Sequence, residues 1–351
     1  MLRHRFQRLI KRVDRTLSGP VSIFPDQFLY GAREILCSYA NFDDNIIFKG
    51  TFEHGWAIES AKPISKISGG MHPHFSWCEE RIKRSEIQHT SIIPIGSPYI
   101  YLLDMLNLPL NKSKEVGISD SNEIIFFPTH SNEVEFQNSK TQIELFKKSY
   151  DPANATVCLY WAEFINPSTL KEYRQAGFKN IVTAGFSGQM EHTGLGYSAR
   201  DLAASSIGGR NFFYLNLISF LIKHKKVVLG GFGSICFYAA YLEKEIDFLE
   251  MQGNYKHFAY SSTQSLAISN HYSEAHKFIS NYMGVPFSEI NFSSVEFREL
   301  AGIELGVKHF MSSQSLREIL SRYTTVQDNS LACIETKAGI SNFYENFLTV
   351  S

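Results

Sequence analysis

Net charge, paired cysteines and long apolar runs are all scarce in this chain, and each absence closes off a class of function. With 34 Lys and Arg against 35 Asp and Glu, the formal net charge is −1. The chain therefore lacks the basic excess that holds nucleic acid, which is not an expected partner. Its five cysteines (Cys37, Cys78, Cys158, Cys236 and Cys333) are scattered, with no C-x-x-C pair and no zinc spacing. That pattern excludes a disulfide framework and favours a reducing, cytoplasmic setting. No stretch reaches the ~18 apolar residues that span a bilayer. The longest apolar helix candidate, residues 213–222, reads as a buried core helix. The basic start is not followed by a continuous apolar block, so no secretory signal is expected.

Several catalytic signatures are missing too. The turn GGFGSI lacks the third glycine of G-x-G-x-x-G, and no acidic residue closes the next strand at the required distance, which disfavours a nicotinamide dinucleotide. No lysine follows that turn as in a P-loop, so ATP hydrolysis is disfavoured, and the absence of G-x-S-x-G weakens an esterase reading. Neither H-E-x-x-H nor Asp-x-Asp occurs, and His72-Pro73-His74, the nearest thing to a metal pair, reads as a loop. No metal and no organic cofactor are expected.

What the chain has is length and aromatic mass. Its 351 residues are 44% apolar and 20% charged, with 28 Phe and 17 Tyr. This suits two domains with separate cores and an apolar-walled cleft. The expected division is a basic amphipathic helix over 1–17, an α/β domain over 18–118, a second α/β domain over 119–272, and a helical segment over 273–351 packing back across both. In the first of these, Arg3, Arg5, Arg8, Lys11, Arg12 and Arg15 face a single Asp14, while Leu2, Phe6, Leu9, Ile10, Val13 and Leu17 recur at helical spacing. Such a helix either lies on an anionic membrane surface or docks on its own domain. Residues 111–122, polar and without apolar period, are the best linker candidate.

In the first half, residues 45–53 read as one strand, 91–95 as another short strand, and YIYLLDML as a helix. The second half alternates regularly. Strands are expected at 124–127, 156–161 and 178–183, with helices around 141–148, 167–176 and 211–223. The alternation ends in Val227–Phe248, where an apolar run meets Gly-Gly-Phe-Gly-Ser, a helix follows, and a second apolar run comes after Lys244. Regular βα alternation implies a doubly wound parallel sheet. The Val227–Phe248 unit has two readings: a phosphate-binding turn opening a helix N-terminus, or a plain βα turn packing a parallel sheet.

Ligands of open α/β sheets bind outside the carboxyl ends of the strands. That rule selects His130-Ser131, Glu163, Thr183-Ala184-Gly185 and Gly231–Ser234, with Gly233 and Ser234 at the helix start. His130 suits a phosphate or leaving group, and Glu163 a ribose or base edge; capping and solvated-loop roles stand beside these. In the first half His54 sits where a strand ends, and an imidazole there suits deprotonation of a hydroxyl nucleophile. Glu53 and Asp43-Asp44 compete for that role. Trp56 suits sugar stacking or the core, and Trp77 the core.

In order and spacing, HGW, the W-x-x-x-R segment Trp77–Arg81, IGSPYIYL, FFPTHS, GFKNIVTAG and GSICFYAAYLEK resemble the GT-B glycosyltransferases of bacterial capsule and O-antigen synthesis, over residues 45–250. That resemblance implies two Rossmann-like domains facing a central cleft, a nucleotide-sugar donor, and a glycan or lipid-linked glycan acceptor. It also implies metal-independent, inverting transfer beside the cytoplasmic membrane. His130 resembles the histidine of the His-Pro motif in enzymes using CMP-activated nonulosonates or Kdo, although Ser131 replaces the proline. Ser234 resembles a serine of their second phosphate motif, with Gly233 replacing its neighbour, and their acid-acid-Gly base motif is not clearly present. The implied roles are a donor phosphate held by His130 and Ser234, and a base supplied by His54, Glu53 or Asp43. A UDP-sugar transferase or epimerase, and a non-catalytic scaffold of a polysaccharide complex, are the alternatives.

Overall fold

A computed structural model of the chain describes residues 30–42, 46–53, 55–56, 73–84, 92–108, 124–129, 139–164, 166–185, 213–249 and 274–326. The basic helix expected over 1–17, the linker at 111–122, the stretch 187–210 and the end of the helical tail lie outside these residues, as do Asp43, His54, His130 and Ser131.

The second half forms a five-stranded parallel sheet from β5 (Ile124–Phe127), β6 (Ala155–Cys158), β7 (Asn180–Val182), β8 (Lys226–Leu229) and β9 (Glu245–Phe248), in the order β7-β6-β5-β8-β9. In β5, Ile125 and Phe127 turn to one face and Phe126 to the other. In β8, Val227 and Leu229 oppose Val228 in the same way. Both faces are thus apolar, the signature of a parallel sheet covered by helices on both sides. Helices α4 (Ser139–Ser149) and α6 (Pro167–Gln175) cover one face through Ile143, Phe146 and Tyr173. Helices α7 (Phe213–Lys223) and α8 (Ser234–Tyr241) cover the other through Leu217, Ile218, Leu221 and Phe237. Side-chain caps set several helix starts: Asn166 accepts from Ser168 N–H before α6, and Ser294 from Phe297 N–H before α10 (Val295–Glu304).

The first half contributes helix α1 (Ala32–Tyr39) and a parallel sheet of β2 (Thr51–Phe52), β3 (His74–Ser76) and β4 (Ile92–Pro94), with α2 (Glu79–Arg84) after β3. Here the expected single strand over 45–53 is corrected. It splits into β1 (Ile46–Phe48) and β2, which belong to different sheets. The break falls at Gly50, where a Cβ would sit 2.7 Å from the Pro73 carbonyl oxygen, so the backbones cross too closely for a side chain. Strand β1 instead pairs antiparallel with β10 (Thr324–Val326), close to the last described residue.

Helix α3 (Pro98–Met105) is buried all round from Pro98 to Leu103 and packs against both α1 and α7. A helix buried all round has no solvent face to give up, and its Ile100, Leu102 and Leu103 contribute about 1.5–3 kcal/mol each through burial. Through α3 the two halves share one apolar cluster, which runs from Phe75 and Trp77 to Leu217 and Phe237. The expected separate cores are therefore corrected: a second cluster exists, but it lies on the far face of the five-stranded sheet. The described part of the tail, 274–326, carries a helix α9 over 274–283, then α10 and α11 (Ser313–Ser321), and ends in β10. Cys37, Cys78, Cys158 and Cys236 are buried thiols. Among the described residues no helix is long and apolar enough to cross a membrane.

Candidate functional site

Strand order reverses at β5, which is flanked by β6 on one side and β8 on the other. Loops leaving such a point diverge and open a crevice beyond the carboxyl ends. A cavity lies there, enclosing about 980 Å³ with its open mouth, lined by Thr129 after β5, Tyr160 after β6, Thr183 and Gly185 after β7, and Gly231–Ser234 after β8.

The glycine turn is set by packing. Gln142 of α4, buried, clamps the Thr129 backbone: its Oε1 accepts from Thr129 N–H at 2.7 Å, and its Nε2 donates to Thr129 O at 3.0 Å. A Cβ at Gly230 would sit 2.2 Å from Gln142 Oε1 and 2.7 Å from Thr129 N, and one at Gly231 would sit 2.4 Å from Thr129 Oγ1. Those two glycines make room for the β5 loop. Gly233 differs, because nothing lies within 4 Å of its Cβ position. It precedes α8 in an extended conformation and supplies no side-chain cap. The first N–H groups of α8 thus end at the cavity with the positive end of the helix dipole. Thr129 lines the cavity, and its buried hydroxyl, tucked against Gly231, has no hydrogen-bond partner.

The rest of the lining is largely aromatic: Tyr30, Tyr160, Phe213, Tyr214 and Tyr238. Tyr30 comes from the first half with φ 57°, a left-handed conformation that a bulky residue adopts only at a cost, and such strain gathers at functional sites. Its ring lies 4.5 Å from that of Phe213. Burial pushes the phenols of Tyr30, Tyr214 and Tyr238 well up, and the Cys158 thiol up to about 12, so all are neutral near pH 7. No Asp, Glu, Lys, Arg or His is among the described lining residues. An anion here meets a helix N-terminus and hydroxyls.

Ser234 joins this turn to the first half. Its Oγ accepts from Trp56 N–H at 2.7 Å, and the neighbouring Gly55 lines the cavity. The expected stacking role of Trp56 is corrected. Trp56 is 7% exposed, and its indole lies 5.0 Å from the Phe237 ring and donates from Nε1 to Glu304 Oε2 at 2.7 Å. Glu304, fully buried, also receives Arg84 Nη2 at 2.7 Å. Trp77 is core, as expected.

Glu53 is likewise corrected as a base. It is buried and ion-paired with Arg81, and Oε2 accepts from Trp77 N–H at 2.8 Å and Ser76 Oγ at 3.0 Å. Burial raises its pKa against the pull of Arg81 and these donors. With its lone pairs committed, it has no free face for an acceptor hydroxyl. Arg81 also donates to the Gly55 carbonyl at 3.2 Å.

Of the remaining expected site residues, Thr183 lines the cavity and its hydroxyl accepts from Gly185 N–H at 3.3 Å. Glu163 does not line it. Strand β6 ends at Cys158, earlier than the expected Trp161, and the one-turn helix α5 (Trp161–Phe164) carries Glu163 past the strand end towards Tyr173. Sequence reasoning missed Thr129, Tyr30 and Tyr214. A signal for Thr129 was available, since it stands between the end of β5 and His130.

No protein-family model matches the chain, and no curated protein matches it. Among solved structures, a Listeria monocytogenes protein assigned as a UDP-N-acetylglucosamine 2-epimerase is similar at 11% identity and a TM-score of 0.33, over 83% of this chain and 70% of that one.

Proposed function

We propose that this chain is a nucleotide-sugar-dependent glycosyltransferase of the GT-B type. It moves a sugar, with a CMP-activated acidic sugar the favoured donor, to a hydroxyl of a bacterial surface glycan, free or lipid-linked. The observation that carries this reading is the coincidence, at the switch point of a doubly wound sheet, of an open Gly233, an uncapped helix N-terminus and the Ser234 hydroxyl. Together these make an anion cradle. The absence of a charged side chain among the described lining residues favours a donor with one phosphate, because a helix N-terminus carries about half a unit charge.

In this mechanism the acceptor oxygen attacks the anomeric carbon and the anomeric C–O bond to phosphate breaks. The nucleotide leaves with the bonding pair, and α8 N–H groups with Ser234 Oγ–H stabilise its charge as it develops. His130, three residues beyond the end of β5 in sequence, is assigned to the same phosphate in this reading. His54, next to the cavity-lining Gly55, takes the acceptor proton, with Asp43 the competing base. Attack from the face opposite the nucleotide inverts the anomeric centre.

The test is a thermal-shift panel of CMP, CDP, UDP, GDP and ADP, with and without magnesium. Stabilisation by CMP without dependence on metal is the expected result. Preference for UDP moves the reading to a UDP-sugar transferase or epimerase, and no shift with any nucleotide overturns it in favour of a scaffold. His54→Ala is expected to abolish transfer with nucleotide binding intact.

A further inference from the structure

The Ser234 hydroxyl has one proton and two lone pairs. A backbone N–H can only donate, so the 2.7 Å contact with Trp56 occupies a lone pair of Ser234 and leaves its proton for another acceptor. Ser234 lines the cavity. Trp56 is itself fixed at both ends: its amide binds Ser234 on α8, and its indole binds Glu304 on α10. Helix α10 packs along α8, so the two anchors belong to one rigid pair.

Glu304 holds both Arg84 and the Trp56 indole through Oε2. It is fully buried and its Oε1 has no hydrogen-bond partner. Replacing both members of a buried ion pair by apolar residues is often neutral or stabilising, so the pair with Arg84 does not by itself account for this carboxylate. The use of this carboxylate therefore lies in what Oε2 holds.

We propose that Glu304 is a positioning residue for the anion site: by fixing the Trp56 indole it fixes the Trp56 amide, which turns the Ser234 hydroxyl proton towards the ligand. The chain of contacts reaches from the tail helix to the cavity without Glu304 touching the ligand. The role in ligand binding rests on the nucleotide-binding reading above; the fixing of Trp56 does not.

The experiment compares wild type with Glu304→Leu and Glu304→Gln in the full chain, after circular dichroism shows each to be folded. Glutamine keeps an acceptor for the indole, and leucine does not. Amide hydrogen exchange is measured over residues 53–57, and CMP and UDP affinities by titration calorimetry. Expected is exchange at Trp56 at least tenfold faster in Glu304→Leu, near wild type in Glu304→Gln, and no faster still when Trp56→Phe is added to Glu304→Leu. The affinity of whichever nucleotide binds falls about tenfold in Glu304→Leu and within threefold in Glu304→Gln. Unchanged exchange in Glu304→Leu, or an additive effect of Trp56→Phe, overturns the positioning role whether or not a nucleotide binds. Changed exchange with unchanged affinity overturns its extension to the ligand. If wild type binds neither nucleotide, the functional reading falls, and the exchange data still decide on Trp56. If Glu304→Leu does not fold, Trp56→Phe, which removes the indole N–H and keeps Glu304, is expected to speed exchange at position 56 at least tenfold, and unchanged exchange there overturns the positioning role.

Discussion

The two walls that meet at Ser234 are held by opposite means. The Gly230–Ser234 turn is set by backbone and shape, with a neutral glutamine clamping the neighbouring loop and two glycines closing onto it. The Glu53–Trp56 segment is set by charge, through Glu53–Arg81 and Glu304–Arg84 in the interior. A shape-held wall answers to volume and ignores pH. A charge-held wall tolerates volume changes but fails when one partner goes.

The largest expected effect breaks the charged wall. Arg81→Leu leaves Glu53 buried and unpaired, and removing one partner of such a pair costs about 3–5 kcal/mol. Denaturant unfolding should show this loss, partly recovered when Glu53→Leu is added. A loss no larger than that of an exposed arginine would mean the pair holds nothing.

Acid should act through the tail helix α9. His276 of α9 stacks on Phe287 at 3.7 Å, and burial lowers its pKa to about 4. Its neighbour on that helix, Phe278, lies beneath Arg84. The unfolded chain, with an ordinary histidine pKa near 6.5, binds the proton more readily, so this contribution is full above about pH 6.5 and is lost as pH falls towards 4. Because His276 is only half-buried, solvent screening reduces the expected loss to on the order of 1–2 kcal/mol, and His276→Phe should flatten the melting temperature over that window.

The shape-held wall is broken by volume. Gly230→Ala forces a methyl against Gln142 Oε1 and Thr129 N, and overpacking of this kind costs about 1–3 kcal/mol, with no change between pH 5 and 8. The smallest stability effect belongs to Gly233→Ala. Its Cβ meets nothing, so stability should stay within about 0.5 kcal/mol of wild type, while anion affinity drops because the methyl enters the cradle. Equal destabilisation by both alanines would remove the distinction between these glycines.

This contrast also explains what could be read from the sequence. The shape-held wall was legible: apolar runs, turn residues and helix spacing placed β5, β8, α8, Thr183, Gly185, Gly233 and Ser234 at one edge, because those signals are local. The charge-held wall was not. Glu53 looked like a free carboxylate because its partner, Arg81, lies across a strand pair, and Trp56 looked like a platform because its acceptor is in the tail. One local clue existed. On α10, Phe297, Leu300, Ala301 and Glu304 share the buried face at the i, i+3, i+4, i+7 spacing, and a glutamate on an apolar stripe asks for a partner. The split of 45–53 was hidden because the Pro73 carbonyl that demands Gly50 lies far along the chain.

The pairing of β1 with β10 has a consequence for the chain's birth. Ile46 and its partner Val326 leave the ribosome far apart in time. At roughly 5–20 residues per second, tens of seconds pass in which β1 has an open edge, with Phe48 waiting for its cover. Closing so long a loop is also slow in refolding from denaturant. A nascent chain stalled before Thr324 should therefore expose that edge to a chaperone, and release of the full chain should end the contact.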